Sequence, residues 1–462
     1  MSTKKQHVLT TEKIGYSLGD AASNLFFQTF ILYLLFFYTD VFGISAAAAG
    51  TMFLVTRMFD AITDPLMGVL ADRTNTKYGK FRPYLIWLAI PFGIMGMFLF
   101  YTPDFGETGK LIYAYITYSI MMILYTAINV PYAALMGVIT PSSEERTVIS
   151  SYRFVAAYIG LLTVTSFTEI LVEYFGQGDR QVGWFWTMGL YGAIAAILFI
   201  LTFFMTKERV LPPENQKIDF KKDRKDLFSN LPWKLIALAT AFQLTFLVCR
   251  GGAFSFYINY YIGDHSIDLF GRTISLSLST FLTSGALMTL LGAILTNSLA
   301  KIMDKKTIYG WFLGGAAVIS IAFYYLDPTQ IALIYIVNLI AAFLTGPVSV
   351  LQWAMYADCA DYGEWKFDRR ATGLIMAASL FALKFGAAFG GALTGWVLSG
   401  YGFVAGDIQT SDALQGIRLL VSWIPGVFGV LGFITMLFYS LTNEKMKAIE
   451  TDLIARKRQT SN

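Results

Sequence analysis

Two carboxylates one helical turn apart sit in a stretch that is otherwise apolar. The run GTMFLVTRMFDAITDPLMGVL, residues 50–70, has the length of a membrane span, and Asp60 and Asp64 fall in its middle. Charge at membrane depth is costly and marks ion paths, proton relays or substrate sites. The i, i+4 spacing puts both groups on one helix face. Away from water they repel each other, and a small cation between them or a proton on one of them relieves that cost. The chemistry this pair points to is cation binding by a cation-driven transporter. A hydroxyl to complete an oxygen shell around Na⁺ is available at Thr126, since small hard cations favour oxygen ligands.

Other polar residues interrupt the apolar stretches. In LYTAINVPYAAL, residues 124–135, Tyr125, Asn129 and Tyr132 recur at helical spacing and share a face. Sugars are bound by polar side chains that read hydroxyls and by aromatic faces that pack on the ring, a task suited to Tyr125, Asn129 and Arg153. The bland alternative for Asn129 and Arg153 is hydrogen bonding between helices. Lys384, in SLFALKFGAAFGGALTGW, is an ammonium deep in a span and needs a partner. Asp60 or Asp64 is the natural one if the two halves pack together. Asp20 and Arg57 fit a transport role or structural pairing equally well, and Glu169 fits a place near the outer boundary. Arg250 precedes Gly251 and Gly252, which predict a bend or an unwound turn at a transport site. Tyr257, Asn259, Tyr260 and Tyr261 follow, as sugar contacts or as interfacial aromatics.

The elements that must position these groups follow from composition. The chain has 462 residues, 55% hydrophobic and 14% charged, with mean hydropathy +0.55. A soluble protein carries about 25% charged residues. The net charge of +4 is too small to suggest a nucleic-acid partner. Cys249 and Cys359 lie in apolar surroundings without disulfide or metal spacing, and His7 and His265 fall in loops. No removable signal peptide is expected, and the first apolar stretch reads as a span. At about 20 apolar residues per span, twelve spans are predicted. They fall near 14–39, 46–71, 83–102, 111–139, 151–174, 183–205, 233–262, 272–300, 307–325, 331–357, 371–399 and 416–441.

The chain thus reads as an all-α membrane protein with twelve transmembrane helices in two six-helix bundles. The bundles are 1–206, with the cation site, and 233–444. A charged linker, 207–232, separates them, and a tail, 445–462, is expected to be a solvated or membrane-surface helix. Lys and Arg crowd the N-terminal tail (Lys4, Lys5, Lys13), the second loop (Arg73, Lys77, Lys80, Arg82), the linker, the eighth loop (Lys301, Lys305, Lys306), the tenth loop (Lys366, Arg369, Arg370) and the C-terminal tail. The positive-inside rule then places both termini in the cytoplasm. Residues 72–83 read as a gating hinge or charge clamp. Two six-span halves suit a transporter whose site lies at the midplane.

The segments GDAASN, FYTDVFGI, FDAITDPLMGVLADRT, YGKFRP, YTAINVPY, YADCADYGEW and LKFGAAFGGAL occur in this order. Together they resemble the glycoside–pentoside–hexuronide:cation symporters, the melibiose-carrier family of the major facilitator superfamily, from about Glu12 to Glu444. The resemblance implies that Asp60 and Asp64 form the coupling-cation site with Thr126. It implies that Lys384 links that site to the sugar pocket, and that Tyr125 and Arg153 line the pocket. Two acidic sugar-binding positions of the melibiose carrier correspond to Asn24 and Asn129 here, and Ala133 and Ser349 stand where that carrier has tryptophans. Asn24 therefore joins the substrate set, with Ser349 and Trp353 as further candidate contacts beside Asp20, Arg57, Arg250 and Tyr257. The departures point away from a galactoside, toward the xyloside, pentoside and glucuronide branch. A carboxamide in place of a carboxylate weakens bonding to hydroxyls and removes repulsion against an acidic sugar.

The expected activity is symport of a glycoside, pentoside or hexuronide with Na⁺, H⁺ or Li⁺ across a bacterial inner membrane, with no cofactor, no covalent chemistry and no nucleic acid. The rivals are a proton-coupled exporter of the same fold, a sugar receptor that does not transport, and an intramembrane prenyl or phosphoalcohol transferase using Mg²⁺. The transferase needs several acidic clusters near the membrane surface. Here one D-x-x-x-D lies within a span, and Asp358 and Asp361 lie at a different helix end.

Overall fold

A computed structural model of the protein describes residues 8–140, 143–209, 220–263, 266–269, 272–275, 277–367 and 372–460; at residues 60–62, 72, 143–144, 147, 220–224, 266–269, 272–275, 372–374, 377, 454 and 457–460 it describes the backbone alone. The chain divides into two compact units. One comprises 1–215 with 278–283 and 404–407, and the other comprises 216–277, 284–403 and 408–462. Residues 210–219 of the predicted linker lie outside the described residues, and Phe220–Ser229 within it form a helix.

In the first unit the chain runs through α1 (Thr10–Leu32), α2 (Leu34–Phe36), a π-helical turn (Phe37–Val41), α3 (Ala46–Arg73), α4 (Arg82–Leu99), α5 (Glu107–Ile139), α6 (Ser143–Gly176) and α7 (Arg180–Met205). The second unit holds α8 (Phe220–Ser229), α9 (Leu231–Phe256) with a π-helical turn (Tyr257–Ile262), strands β1 (Ser266–Leu269) and β2 (Arg272–Ser275), α10 (Leu278–Ile302), α11 (Lys305–Ile321) with a 3₁₀ turn (Ala322–Tyr325), α12 (Ile331–Phe367), α13 (Thr372–Gly400), α14 (Ser411–Val421), α15 (Trp423–Leu437) and α16 (Asn443–Thr460), the first six residues of α10 grouping with the first unit. Ten described helices are long and apolar enough to cross a bilayer, and the α1–α2 pair, bent by 57°, makes an eleventh. The expected segment near 46–71 falls on α3, a helix of 28 residues whose described apolar stretch is Ala46–Phe59.

The eighth span is a correction. It was expected from residue 272, but residues 272–275 pair antiparallel with 266–269, and the helix starts at Leu278. The β-branched pair Ile267 and Ile274 faces across this hairpin register, and β-branched residues favour strands.

Helix starts follow local chemistry. Ser45 caps α3, accepting from the Ala48 N–H at 3.3 Å. Asp179 caps α7, accepting from Gln181 and Val182 at 2.8 and 3.3 Å, and Asn230 caps α9 through Trp233 at 3.0 Å. Ile112, Ile116, Ile120 and Ile123 recur every three or four residues along α5 and are all exposed. Such a stripe faces hydrocarbon in a membrane protein.

With no hydrophobic effect between helices in lipid, close backbone approach provides the cohesion. In the first unit α1 packs on α6 and α7, α4 on α5 and α7, and α3 on α5. The α4–α7 crossing depends on paired glycines: a Cβ on Gly93 would lie 2.5 Å from the Gly192 carbonyl oxygen, and one on Gly192 2.4 Å from that of Gly93. In the second unit α9 packs on α13 and α15, and α11 on α12 and α15.

The end of the 72–83 segment is held by one carboxylate. The Glu208 carboxylate, just past α7, accepts the backbone N–H groups of Lys80, Phe81 and Arg82 at 2.8, 2.8 and 2.9 Å. Gly79 (φ +112°) makes room for that carboxylate, which a Cβ there would meet at 2.5 Å. Arg209 grips Glu12 with both terminal nitrogens, at 2.8 and 2.7 Å. The C-terminal tail departs from expectation too. Met446, Ile449 and Leu453 of α16 are buried in the core of the second unit, and Trp365 Nε1 donates to Asp452 at 3.0 Å. The tail is a docked helix, because these three residues recur on one face.

Gly93→Val should lower the thermal-unfolding midpoint of the purified protein by several degrees, since overpacking costs about 1–3 kcal/mol. Gly106→Ala, with nothing near the added Cβ, is the matched control. An unchanged midpoint for Gly93→Val would remove the close-approach account.

Candidate cation and substrate site

The carboxylates stand on α3 and their hydroxyl partner on α5. Thr126 Oγ1 donates to Asp64 Oδ1 at 2.9 Å. Thr126 is buried and Asp64 half-buried. Asp60 sits one turn earlier on α3, and its side chain lies outside the described residues. Pro65 lies inside α3 and Pro131 inside α5. Proline has no N–H, so each removes one ladder bond and frees the carbonyl four residues back, at Ala61 and Ala127. The Thr63 hydroxyl, between the two aspartates in sequence, is buried without a partner. Sequence reasoning missed it, although a hydroxyl inside D-A-I-T-D was the available signal. The cluster supplies hard oxygens, as a small cation needs. Arg57 is half-buried on the same helix.

A second polar cluster joins α1, α5 and α6. Arg153 Nη2 meets Asp20 Oδ1 at 3.2 Å, with side chains 27% and 17% exposed. Its guanidinium lies over the rings of Tyr132 and Tyr16, at 5.3 and 5.8 Å. Those rings stack at 4.7 Å, and each hydroxyl donates to the other's backbone carbonyl, Tyr16 at 3.1 Å and Tyr132 at 2.7 Å. Gly19 allows the stack, because a Cβ there would lie 2.5 Å from the Tyr132 ring. One turn along α1, Ser23 Oγ donates to Asn129 Oδ1 at 2.7 Å, while Asn129 Nδ2 donates to the Tyr125 carbonyl at 3.0 Å. The Tyr125 ring lies 6.4 Å from Phe27 and 6.2 Å from Phe92.

Asn129 and Tyr125 are thus joined by a hydrogen bond, and Arg153 lies beside Tyr132 one turn further along α5. The acid that faces Arg153 is Asp20. Asn24, expected in an acidic position, donates to the Asp20 carbonyl at 2.9 Å and accepts from Gln28 at 3.1 Å. Its carboxamide is committed along its own helix, so the acid of this cluster is retained one turn earlier. Ser23 was not foreseen. Only its register with Asp20 and Asn24 hinted at it. The cluster can read hydroxyls, because Arg153 offers five donors and Asp20 further lone pairs.

The second unit holds the remaining candidates. Lys384 is half-buried on α13. Ser349 Oγ donates to the Thr345 carbonyl of α12 at 3.2 Å, and the Trp353 ring lies 6.0 Å from Tyr356. Arg250 donates to Asn338 at 3.0 Å. The predicted break at Gly251 and Gly252 is overturned: α9 stays helical to Phe256, and the irregular turn begins at Tyr257. Glycine permits unwinding without enforcing it. Tyr257 is buried, Asn259 donates to the Ser255 carbonyl at 2.8 Å, and Tyr261 donates to the Leu326 carbonyl at 3.0 Å. Glu169 pairs with Arg180 at 3.2 Å, and Asp358 takes both its bonds from Lys305, at 2.9 and 2.8 Å. His265 lies outside the described residues.

Residues 15–443 match the family model described as MFS/sugar transport protein. The chain belongs to that family. It is 38% identical to the inner membrane symporter YicJ of Escherichia coli (strain K12), over 98% of this chain and 97% of that one. It is 34% identical to the isoprimeverose transporter of Lactiplantibacillus pentosus, over 98% and 92%. It is 30% identical to the glucuronide carrier protein homolog of E. coli K12, over 96% and 95%. The crystal structure of a D-xylose–proton symporter superposes with a TM-score of 0.62 at 16% identity, over 93% of this chain and 97% of that one, and shows the shared fold. The protein is a multi-pass membrane protein of the major facilitator fold.

Arg153→Gln strands Asp20 and should cost about 1–3 kcal/mol, a value reduced by partial exposure. The double variant Asp20→Asn/Arg153→Gln should recover part of that loss in a thermal-unfolding cycle. Additive losses would show that the pair does not interact.

Proposed function

We propose that the protein drives uptake of a glycoside, pentoside or hexuronide by the inward flow of Na⁺ or H⁺. The observation that carries this reading is the content of α5. Thr126, bonded to Asp64, is next to Tyr125 in sequence and one turn from Asn129, so one helix carries the cation cluster and the hydroxyl-reading cluster. The cation binds first, at Asp60, Asp64 and Thr126. Neutralising the carboxylates lowers the cost of excluding water from them and steadies α5. The sugar then binds at Tyr125, Asn129, Arg153 and Asp20, with Asn24 flanking. The loaded protein changes access and releases both. A bare carboxylate pair resists occlusion, which suppresses cation leak. No covalent step is involved. Lys and Arg asymmetry between alternate loops supports cytoplasmic termini, and the likeness to the inner membrane symporter YicJ supports an inner membrane.

Coupling through α5 is reciprocal: the cation tightens the sugar by the factor by which the sugar tightens the cation. Asp60→Asn and Asp64→Asn should each abolish gradient-driven accumulation in membrane vesicles while leaving counterflow of labelled sugar measurable. Accumulation at the unmodified level in both variants would refute the site. Thr126→Val removes a hydrogen bond to a charged group, worth about 1.5–3 kcal/mol. It should raise the cation concentration for half-maximal uptake by about 10- to 100-fold, and Thr126→Ser should restore it. Equal half-maximal concentrations for Thr126→Val and the unmodified protein would remove Thr126 from the cluster. A proteoliposome screen of xylosides, glucuronides and galactosides, with Na⁺ and pH gradients varied separately, identifies sugar and cation.

A further inference from the structure

The side chains of α1 divide sharply by exposure. Asp20, Asn24, Phe27 and Gln28 are half-buried, and every other residue from 21 to 26 is buried. Positions 20, 24 and 27–28 lie one turn apart in succession, so they make one stripe. The stripe is mostly polar, although α1 and α2 together form a bent span. The lipid-facing stripe of α5 is by contrast a row of isoleucines. Amide and carboxylate groups without partners are costly in hydrocarbon, so the stripe of α1 faces water.

Contacts with α5 mark successive levels along this stripe. At the first, Tyr132 stacks on Tyr16 and Arg153 pairs with Asp20. At the second, Ser23 donates to Asn129 at 2.7 Å. At the third, the Phe27 ring lies 6.4 Å from the Tyr125 ring, 29° from parallel. Asp20 and Gln28 are eight residues apart, about 12 Å along the helix axis. A single pyranose ring is shorter than that, and two linked rings cover it. Gln28 closes the far end. Its Nε2 donates to Asn24 Oδ1 at 3.1 Å. That bond uses one of the two N–H groups of the carboxamide. Among the described residues the Gln28 side-chain carbonyl accepts no hydrogen bond. One free donor and one free acceptor on the same carboxamide match two neighbouring hydroxyls, each of which donates and accepts. The half-buried Phe27 ring beside it adds apolar surface. A neutral amide asks for no charge on the ring it reads.

We propose that Gln28 is a specificity-determining contact, reading neighbouring hydroxyls on the second, uncharged ring of a disaccharide whose first ring lies at Asp20 and Arg153. The proposal rests on the sugar-symport reading, which supplies the place of the first ring.

The test is thermal unfolding of the purified full-length protein, titrated with sugars at fixed pH and Na⁺ to obtain half-saturating concentrations. The sugars are matched pairs: methyl β-D-xyloside and xylobiose, methyl β-D-glucoside and cellobiose, methyl α-D-galactoside and melibiose. In at least one pair the disaccharide should half-saturate at a concentration at least about 5-fold below its methyl glycoside, the worth of one or two hydrogen bonds. Gln28→Leu should raise that disaccharide's half-saturating concentration about 5- to 10-fold and leave the methyl glycoside within about 2-fold. Equal weakening of both members would show that Gln28 only holds Asn24 in place, and overturns the proposal. Equal affinity within every pair, no saturable response to any of these sugars, or an unaltered disaccharide response in Gln28→Leu overturns it as well. If Gln28→Leu does not fold, Gln28→Asn, whose shorter reach should give the same selective loss, is read by the same criteria. Gradient-driven uptake of a methyl glycoside without preference in any pair sinks the proposal and keeps the symport reading. Selective loss in Gln28→Leu without gradient-driven uptake by the unmodified protein sinks the symport reading alone.

Discussion

A charge inside this protein has to be answered by another group, because neither lipid nor packed helices supply water. The Arg153–Asp20 pair, the Arg209–Glu12 fork and the Lys305–Asp358 fork each give a cation a carboxylate at hydrogen-bond distance. The Asp64 carboxylate accepts from the Thr126 hydroxyl. A hydroxyl orients a carboxylate without itself cancelling its charge. Hydroxyl groups beside a carboxylate, at Thr126 and in the neighbouring Thr63, mark the candidate coupling site.

The geometry around α5 follows from small residues and prolines as much as from the polar ones. Gly19 lets the Tyr16–Tyr132 stack form, and the stack supplies the surface on which Arg153 lies. Pro65 and Pro131 loosen the two helices next to the residues that would take the cation and the sugar. Flexible ladders beside a rigid stack suit a helix that has to carry information about one ligand to another.

Much of this was legible in the sequence. Apolar run length gave the spans, and the i, i+4 aspartates, Thr126 and the Tyr125–Asn129 face stood out because polar groups in such runs are few. What could not be read was pairing across helices. That Asp20, and not Asn24, faces Arg153 depends on the rotation of α1 against α6, where a Cβ on Gly160 would come within 2.8 Å of the Asn24 Cβ. The strand at 272–275 was taken into the eighth span because strand and helix share β-branched residues there. The docking of α16 was hidden by its charge: Met446, Ile449 and Leu453 are three apolar residues among many polar ones.

The position of that last helix bears on how the protein can be handled in the laboratory. Trimming the chain at the end of α15 would strip the cover from part of the second unit's core and leave Trp365 without its Asp452 acceptor. A reporter or affinity handle fused at residue 444 would replace a structural part with foreign sequence. One joined beyond Thr460 through a flexible spacer leaves the helix seated.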